Sequence, residues 1–256
     1  MKNYLFPFLK NGKAFFLAYD HGFEHGAGDF NEKNLDPEYI LDLAVKGGFT
    51  GIVLQKGIAE KYYFNSSYQK KVPLILKLNG KTNLLLEEEP YAAINCSVEY
   101  AKKLGAQAVG YTIYLGSKFE AKMFEDFGQI QEKAHNLDMA AILWTYPKQG
   151  FENDHKITEY AGRIGLELGA DIIKLKYFGD KKNFKQAIKL AGKTKVVLSG
   201  GQKLDEEKFL AVVSEVMELG AIGVAVGRNV WQRENPLEIT EKLRKLVLDS
   251  PRTFRT

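Results

Sequence analysis

Cysteine is almost absent from this sequence. Cys96 stands alone, which excludes an internal disulfide and a cysteine-based zinc site and fits a reducing compartment. Histidine is scarce too: of four residues, His21 and His25 are neighbours while His135 and His155 lie in unrelated segments, so a histidine-rich metal site is hard to assemble. Long apolar runs are missing. The stretch Tyr4–Leu9 is broken by Pro7 and too short to span a bilayer or form a signal core, so no membrane anchor or targeting segment is expected and the expected address is cytoplasmic. There is no basic block either, since the net charge of +4 is spread along the chain. That distribution favours small anionic ligands over nucleic acid. Leu198-Ser199-Gly200-Gly201-Gln202 spells the signature peptide of transporter-type ATPases, but no P-loop accompanies it. Gly80-Lys81-Thr82 and Gly192-Lys193-Thr194 have Ile75 and Ala187 where the first glycine belongs. A linker and low-complexity sequence are likewise lacking.

The 256 residues are 45% hydrophobic and 27% charged, an ordinary globular composition, and the length suits one domain over residues 1–256. One junction recurs: Leu104-Gly105-Ala106, Leu168-Gly169-Ala170 and Leu219-Gly220-Ala221, with Gly47-Gly48-Phe49 as a looser version. Each closes a helical stretch and opens an apolar run, and glycine suits the left-handed residue that follows a helix end. Eight strand candidates result: Ala14–Tyr19, Gly51–Gln55, Pro73–Leu78, Ala108–Tyr114, Ala140–Trp144, Asp171–Tyr177, Lys195–Leu198 and Ile222–Val226. Amphipathic stretches such as Glu99–Leu104, Ile157–Leu168, Phe184–Ala191 and Asp205–Leu219 separate them. Repeated strand-helix alternation means a parallel sheet. With no Gly-x-Gly-x-x-Gly after the first strand, eight units favour the α/β class in the form of a single (β/α)8 barrel over an open doubly wound sheet. In such a barrel the chemistry sits at the carboxyl ends of the strands.

The sixth strand candidate places Lys174 and Lys176 two residues apart and so on one face. A lysine inside a barrel must find a partner or lose its proton, and a neutral lysine can condense with a ketone to an iminium. Period-two geometry does not separate the two lysines. The fifth strand ends in Trp144 and Tyr146, again on one face. Tyr146 is a candidate acid/base whose phenolate would become accessible near an ammonium. After the first strand comes Asp20-His21-Gly22-Phe23-Glu24-His25-Gly26, a dense ionisable cluster. It matches the inverted zincin pattern His-x-x-Glu-His, but that pattern requires a helix, which Gly22 and Gly26 disfavour. Ser199-Gly200-Gly201 and Gly227-Arg228-Asn229 follow the last two strands and resemble a phosphate cradle, in which glycine exposes backbone N–H groups and Arg228 adds a bidentate contact.

Taken together, Tyr19-Asp20-His21-Gly22 with Glu24-His25-Gly26, Trp144-x-Tyr146-Pro147, Lys174-x-Lys176-Tyr177 with Gly179-Asp180, Ser199-Gly200-Gly201 and Gly227-Arg228-Asn229-Val230-Trp231-Gln232-Arg233 resemble the archaeal-type class I fructose-bisphosphate aldolases of the DeoC/LacD-like superfamily. The resemblance implies a Schiff-base lyase that works without a cofactor or metal. It implies Lys176 as the Schiff-base lysine, Tyr146 as the proton donor and acceptor, Asp20 and Lys174 as polar partners, and Trp144 shaping the pocket. Ser199, Gly200, Gly201, Gly227 and Arg228 would hold the C1 phosphate. The expected partner is a phosphorylated sugar, fructose 1,6-bisphosphate, in glycolysis or gluconeogenesis, and the expected assembly is a homo-oligomer with Phe6, Phe8, Trp231 and Phe254 at interfaces. Lys148-Gln149 stands where the family pattern has arginine and glycine; if that arginine binds the distal phosphate, Lys148 would supply charge without the bidentate fork, and the sequence does not identify the partner of the far phosphate. The alternatives are the related aldolase that makes a shikimate precursor, the more distant deoxyribose-phosphate aldolase, and a metal-dependent or noncatalytic phosphate-binding barrel. The metal-dependent and the noncatalytic barrel leave the lysine pair unexplained, whereas the deoxyribose-phosphate aldolase also uses a barrel lysine. No convincing set of metal-binding carboxylates supports a second, phosphatase activity.

Overall fold

The structure is a computed structural model that describes residues 4–84, 89–148, 150–151 and 155–249. Eight parallel strands close a barrel in the order β1-β8-β7-β6-β5-β4-β3-β2: β1 Ala14–Tyr19, β2 Gly51–Gln55, β3 Leu74–Lys77, β4 Ala106–Leu115, β5 Ala140–Pro147, β6 Ile172–Leu175, β7 Lys195–Ser199 and β8 Gly223–Val226. The helical segments that follow them in turn are α1 Pro37–Lys46, α2 Lys56–Ile58 running into a π-helical turn at Ala59–Tyr63, α3 Val98–Lys103, α4 Glu120–Asn136, α5 His155–Glu167, α6 Lys181–Leu190, α7 Glu206–Glu218 and α8 Pro236–Leu248. The (β/α)8 expectation holds. So do the junctions: Gly48, Gly105, Gly169 and Gly220 all take positive φ, between 68° and 107°, where a Cβ would be strained.

Asp205 is the N-cap of α7, accepting from the amides of Glu207 and Lys208. Asp36 caps α1 in the same way, with Pro37 opening the helix. Asp180, part of the motif that carried the family resemblance, turns out to cap α6, accepting from the Asn183 amide at 3.0 Å.

Each strand buries both faces, so the strands read as continuous apolar runs. The outward residues, such as Phe15, Leu17, Leu74 and Leu76, pack under the helices. The inward set forms a second core of Phe16, Val53, Ile75, Ala108, Ile142, Ile172, Val197 and Ala225. Phe8 and Leu5 join this inner core from the segment that precedes β1, carried by the short 3-10 turn Phe6–Phe8. Phe8 is therefore not at a free surface as expected, and neither is Trp231, whose indole N–H donates to the Ala18 carbonyl at 3.1 Å. Phe6 does stay exposed, and Phe254 lies outside the described residues.

The sequence pattern gave no sign of the small antiparallel ribbon Asn79–Gly80 with Ala93–Ile94. Asn79 anchors it: its side-chain N–H donates to the Thr112 carbonyl at 2.9 Å while its Oδ1 accepts from the Thr112 amide. Strand lengths also differ from the expectation. β4 and β5 pair as far as Leu115 with Pro147, whereas β6 stops at Leu175. Among the described residues no helix is long and apolar enough to cross a membrane.

Candidate active site

A cavity of about 580 Å³ opens at the carboxyl ends of the strands. Period-two alternation turns one residue set to the inside of the barrel at this end: Asp20 just past β1, Gln55 at the end of β2, Lys77 on β3, Trp144 and Tyr146 on β5, Lys174 on β6 and Ser199 on β7; of these Asp20, Lys77, Tyr146, Lys174 and Ser199 line the cavity. Lys77, Lys81, Lys174, Lys176 and Arg228 line the cavity against the two carboxylates Asp20 and Glu24. The excess of positive charge suits an anionic ligand.

The two lysines of the sixth strand separate sharply. Lys174 lies opposite Trp144 on one neighbouring strand and Val197 on the other, is buried, and holds its Nζ 5.5 Å from the Trp144 ring. Burial pushes its pKa below the ordinary lysine value of 10.5, Asp20 and Glu24 oppose that, and Arg228 reinforces it. Lys176 is past the last ladder pair, exposed, with its Nζ 4.8 Å over the Phe178 ring. It reaches only the cavity wall. Geometry therefore separates what parity does not: Lys174 is the buried lysine of the pair, the environment that suits an amine nucleophile, and Lys176 stands exposed at the mouth. The physical reason is that β6 ends one residue before Lys176.

Lys77 is a charged residue of the cavity that the sequence reading does not single out. It is buried, with its Nζ 3.7 Å from Asp20 Oδ2 and 3.8 Å from Glu24 Oε1, and like that of Lys174 its Nζ lies 5.5 Å from the Trp144 ring. Its only signal was its position at the end of an apolar strand. Burial would raise the Asp20 carboxyl, but Lys77 first and then Lys174 outweigh it and hold Asp20 below the ordinary carboxylate range. Asp20 is therefore an anion.

Trp144 fits because β4 carries Gly110 beside it. A Cβ on Gly110 would lie 1.6 Å from Cζ3 of the indole, so the ring occupies the space a side chain would fill, buried beneath Lys77 and Lys174. Tyr146 sits above it, half-buried, because β5 continues to Pro147. Burial raises the Tyr146 phenol well above its ordinary value and Glu24 adds to that, while Lys77 and a hydrogen bond with Ser199 only partly oppose it. The accessible phenolate expected from the sequence is corrected: carboxylates and burial win over the ammonium. Tyr146 is a phenol that can donate.

The segment Gly22–His25 is a single helical turn, contrary to the sequence expectation, because the His21 carbonyl accepts from the amides of Glu24 and His25 and Gly26 at φ 69° ends it. Among the described residues no three His, Cys, Asp or Glu side chains group as a metal site. His21 instead stacks on Trp231, with ring centroids 5.0 Å apart. Burial, the largest cause, pushes His21 down to about 4 from 6.5. The unfolded chain therefore takes up a proton on His21 near pH 6.5 that the folded chain refuses until about 4. Stability should fall across that window, by about 3 kcal/mol when complete. Urea unfolding at stepped pH values measures it, and His21→Gln should flatten that limb.

At the β7 and β8 ends, Ser199, Gly200, Gly201, Gly227 and Arg228 do converge on the cavity. The Gly200 amide, however, donates to the Ala225 carbonyl and is spent in the barrel ladder, which removes it as a phosphate donor. Gly227 is held to glycine by closeness, since a Cβ there would lie 2.6 Å from the Ala18 carbonyl oxygen. Asn229 binds the two loops together: its side-chain N–H group donates to the carbonyls of Gly200 and Gln202, and its Oδ1 accepts from the Leu204 amide. Arg228 lies 3.4 Å from Asp29 Oδ2 at the cavity edge. Lys148 ion-pairs with Glu89 and does not line the cavity; Gln149 lies outside the described residues.

The sequence profile of the DeoC/LacD family of aldolases matches residues 14–233. The chain is similar to the class 1 fructose-bisphosphate aldolase of Thermoproteus tenax, with 53% identity over 96% of this chain and 94% of that protein. It is 45% identical to the enzyme of that name from Halobacterium salinarum, over 95% and 93% respectively. Among solved structures, an archaeal fructose-1,6-bisphosphate aldolase with its catalytic lysine covalently bound to the carbinolamine intermediate superposes with a TM-score of 0.90 at 52% identity, covering 96% of this chain and 98% of that one.

Proposed function

The chain belongs to the DeoC/LacD family of aldolases, and from that premise we propose that it is a class I, Schiff-base-forming aldolase that cleaves fructose 1,6-bisphosphate to dihydroxyacetone phosphate and glyceraldehyde 3-phosphate, with Lys174 as the nucleophile. The single observation that carries the residue assignment is the burial of Lys174 with a depressed pKa inside the barrel. Lys77, the other buried lysine at this end, is occupied by two carboxylates.

In this reading the Lys174 amine attacks C2 of the open-chain ketose, and loss of water gives an iminium. Asp20, an anion beside Lys174, stabilises the positive charge that forms there. Glu24, the more exposed of the two carboxylates, takes the proton of the C4 hydroxyl as the C3–C4 bond breaks and the iminium accepts the electrons. Tyr146, protonated, returns a proton to C3 of the enamine. Hydrolysis then releases dihydroxyacetone phosphate and the free lysine.

The C1 phosphate docks against Gly201, Gly227 and Arg228 with Ser199 at the edge, and Lys176 supplies further charge at the mouth. A coupled assay of bisphosphate cleavage in excess chelator tests the activity directly, and complete inactivity would refute it. Tyr146→Phe removes the donor and should lower kcat by about 10²–10⁴-fold while dihydroxyacetone phosphate still forms an adduct that borohydride reduces.

A further inference from the structure

We propose that Lys81 recognises the phosphate at the far end of the sugar and so sets the preference for a bisphosphate over a 1-phosphate. This rests on the aldolase reading above and goes beyond it, because neither the family motifs nor the lysine geometry says where the second phosphate goes.

The argument starts from the ring order of the barrel. β3 stands diametrically opposite β7 in the closed order of eight strands, and Lys81 follows the ribbon strand Asn79–Gly80 that prolongs β3. The cradle for the C1 phosphate follows β7 and β8. Lys174, which fixes C2, is on β6, next to the cradle and three strands from β3. A ketose held at C2 has a short arm to its C1 phosphate and a long arm to its C6 phosphate. The short arm matches the neighbouring cradle, and the long arm must cross the mouth toward β3 and β4.

At that far side the cavity wall offers Lys81, Asn83 and Tyr114. The Lys81 ammonium lies 6.0 Å from the Tyr114 ring centroid, and its hydrogen bonds among the described residues are local, to the Thr82 carbonyl at 3.2 Å and Asn83 Oδ1 at 3.0 Å. Among the described residues no carboxylate pairs with it. Lys174 and Lys176 stand on the β6 side of the mouth, and the remaining cations are paired with acids. Lys77 is held by Asp20 and Glu24. Arg228 is on the cradle side beside Asp29. Lys148, the position at which the chain departs from the family pattern, is tied to Glu89 away from the cavity.

The test compares fructose 1,6-bisphosphate with fructose 1-phosphate, which lacks only the far phosphate, on the full chain and its Lys81→Met, Lys81→Arg and Lys148→Met variants. Lys81→Met should lower kcat/KM for the bisphosphate about 30-fold, the loss of one hydrogen-bonded charge contact, mostly through KM. Cleavage of the 1-phosphate should change less than about twofold, and Lys81→Arg should recover most of the discrimination. Lys148→Met should leave the ratio of the two substrates as it is. Equal losses on both substrates, an unchanged ratio in Lys81→Met, or a collapse of the ratio in Lys148→Met would each overturn the assignment. If the unaltered chain cleaves neither sugar, the aldolase reading itself fails, which is a different result from cleavage of both without discrimination at Lys81.

Discussion

Lys174→Arg abolishes aldol cleavage, lowering kcat on the order of 10⁴-fold or more, whereas Lys176→Arg leaves kcat within about threefold. Arginine keeps the positive charge at either site, so charge alone does not distinguish them. Only the lysine that becomes an amine and then an iminium is irreplaceable, because a guanidinium stays protonated and is not a nucleophile. Lys174 meets that requirement: it is walled by Trp144 on β5 and lies opposite Val197 on β7, in a place where burial disfavours the ammonium. The pH dependence has a definite sign. The reactive form is the free amine, so adduct formation rises with pH through an apparent pKa below 10.5 and is lost on the acid side as Lys174 protonates. Steady-state cleavage by the two variants, with far-ultraviolet circular dichroism to confirm folding, reads the difference. Loss of activity in Lys176→Arg with survival in Lys174→Arg would reverse the assignment.

Gly110→Ala should destabilise the barrel by about 3 kcal/mol, seen as a Tm lower by about 6–12 °C, and should impair turnover as well. The added Cβ would stand 1.6 Å from Cζ3 and 1.8 Å from Cη2 of Trp144, so the indole and the methyl group exclude one another. The indole is fully buried, hence it moves only by disturbing β4 or the two lysines above its face. Activity and stability fall together because the same ring belongs to the inner core and packs against Lys77 and Lys174. Trp144→Leu removes the clash, so the double variant Gly110→Ala with Trp144→Leu should be more stable than the sum of the single effects. Differential scanning calorimetry of the four proteins checks the coupling. A Tm for Gly110→Ala within about 2 °C of the parent chain would show that the ring is not packed as described.

The barrel was legible because its cues are local and repeated. The Leu-Gly-Ala corners need positive φ, and Gly105, Gly169 and Gly220 have it; the apolar runs are strands because both of their faces are covered. Short elements left no such trace: a two-residue ribbon strand has no period, and Phe8 reads the same whether it caps the inner core or faces solvent. The site was readable as a set of strand ends but not as a set of partners. Lys174 and Lys176 share parity, and what parts them is that β6 stops at Leu175, a tertiary limit that propensity does not encode. Lys77 lies on β3, far in sequence from Asp20, and only barrel closure brings their charges within 3.7 Å. The protonation of Tyr146 depends on barrel closure in the same way. Its nearest charges in space include Glu24 as well as Lys77, and the carboxylate with burial outweighs the ammonium.

Reduction with borohydride in the presence of dihydroxyacetone phosphate and excess chelator, followed by peptide mass mapping, tests the central claim most directly. The adduct should fall on the peptide containing Lys174, at that residue. An adduct on Lys176 would contradict the nucleophile assigned from burial, and the absence of any reduced adduct would contradict covalent catalysis itself.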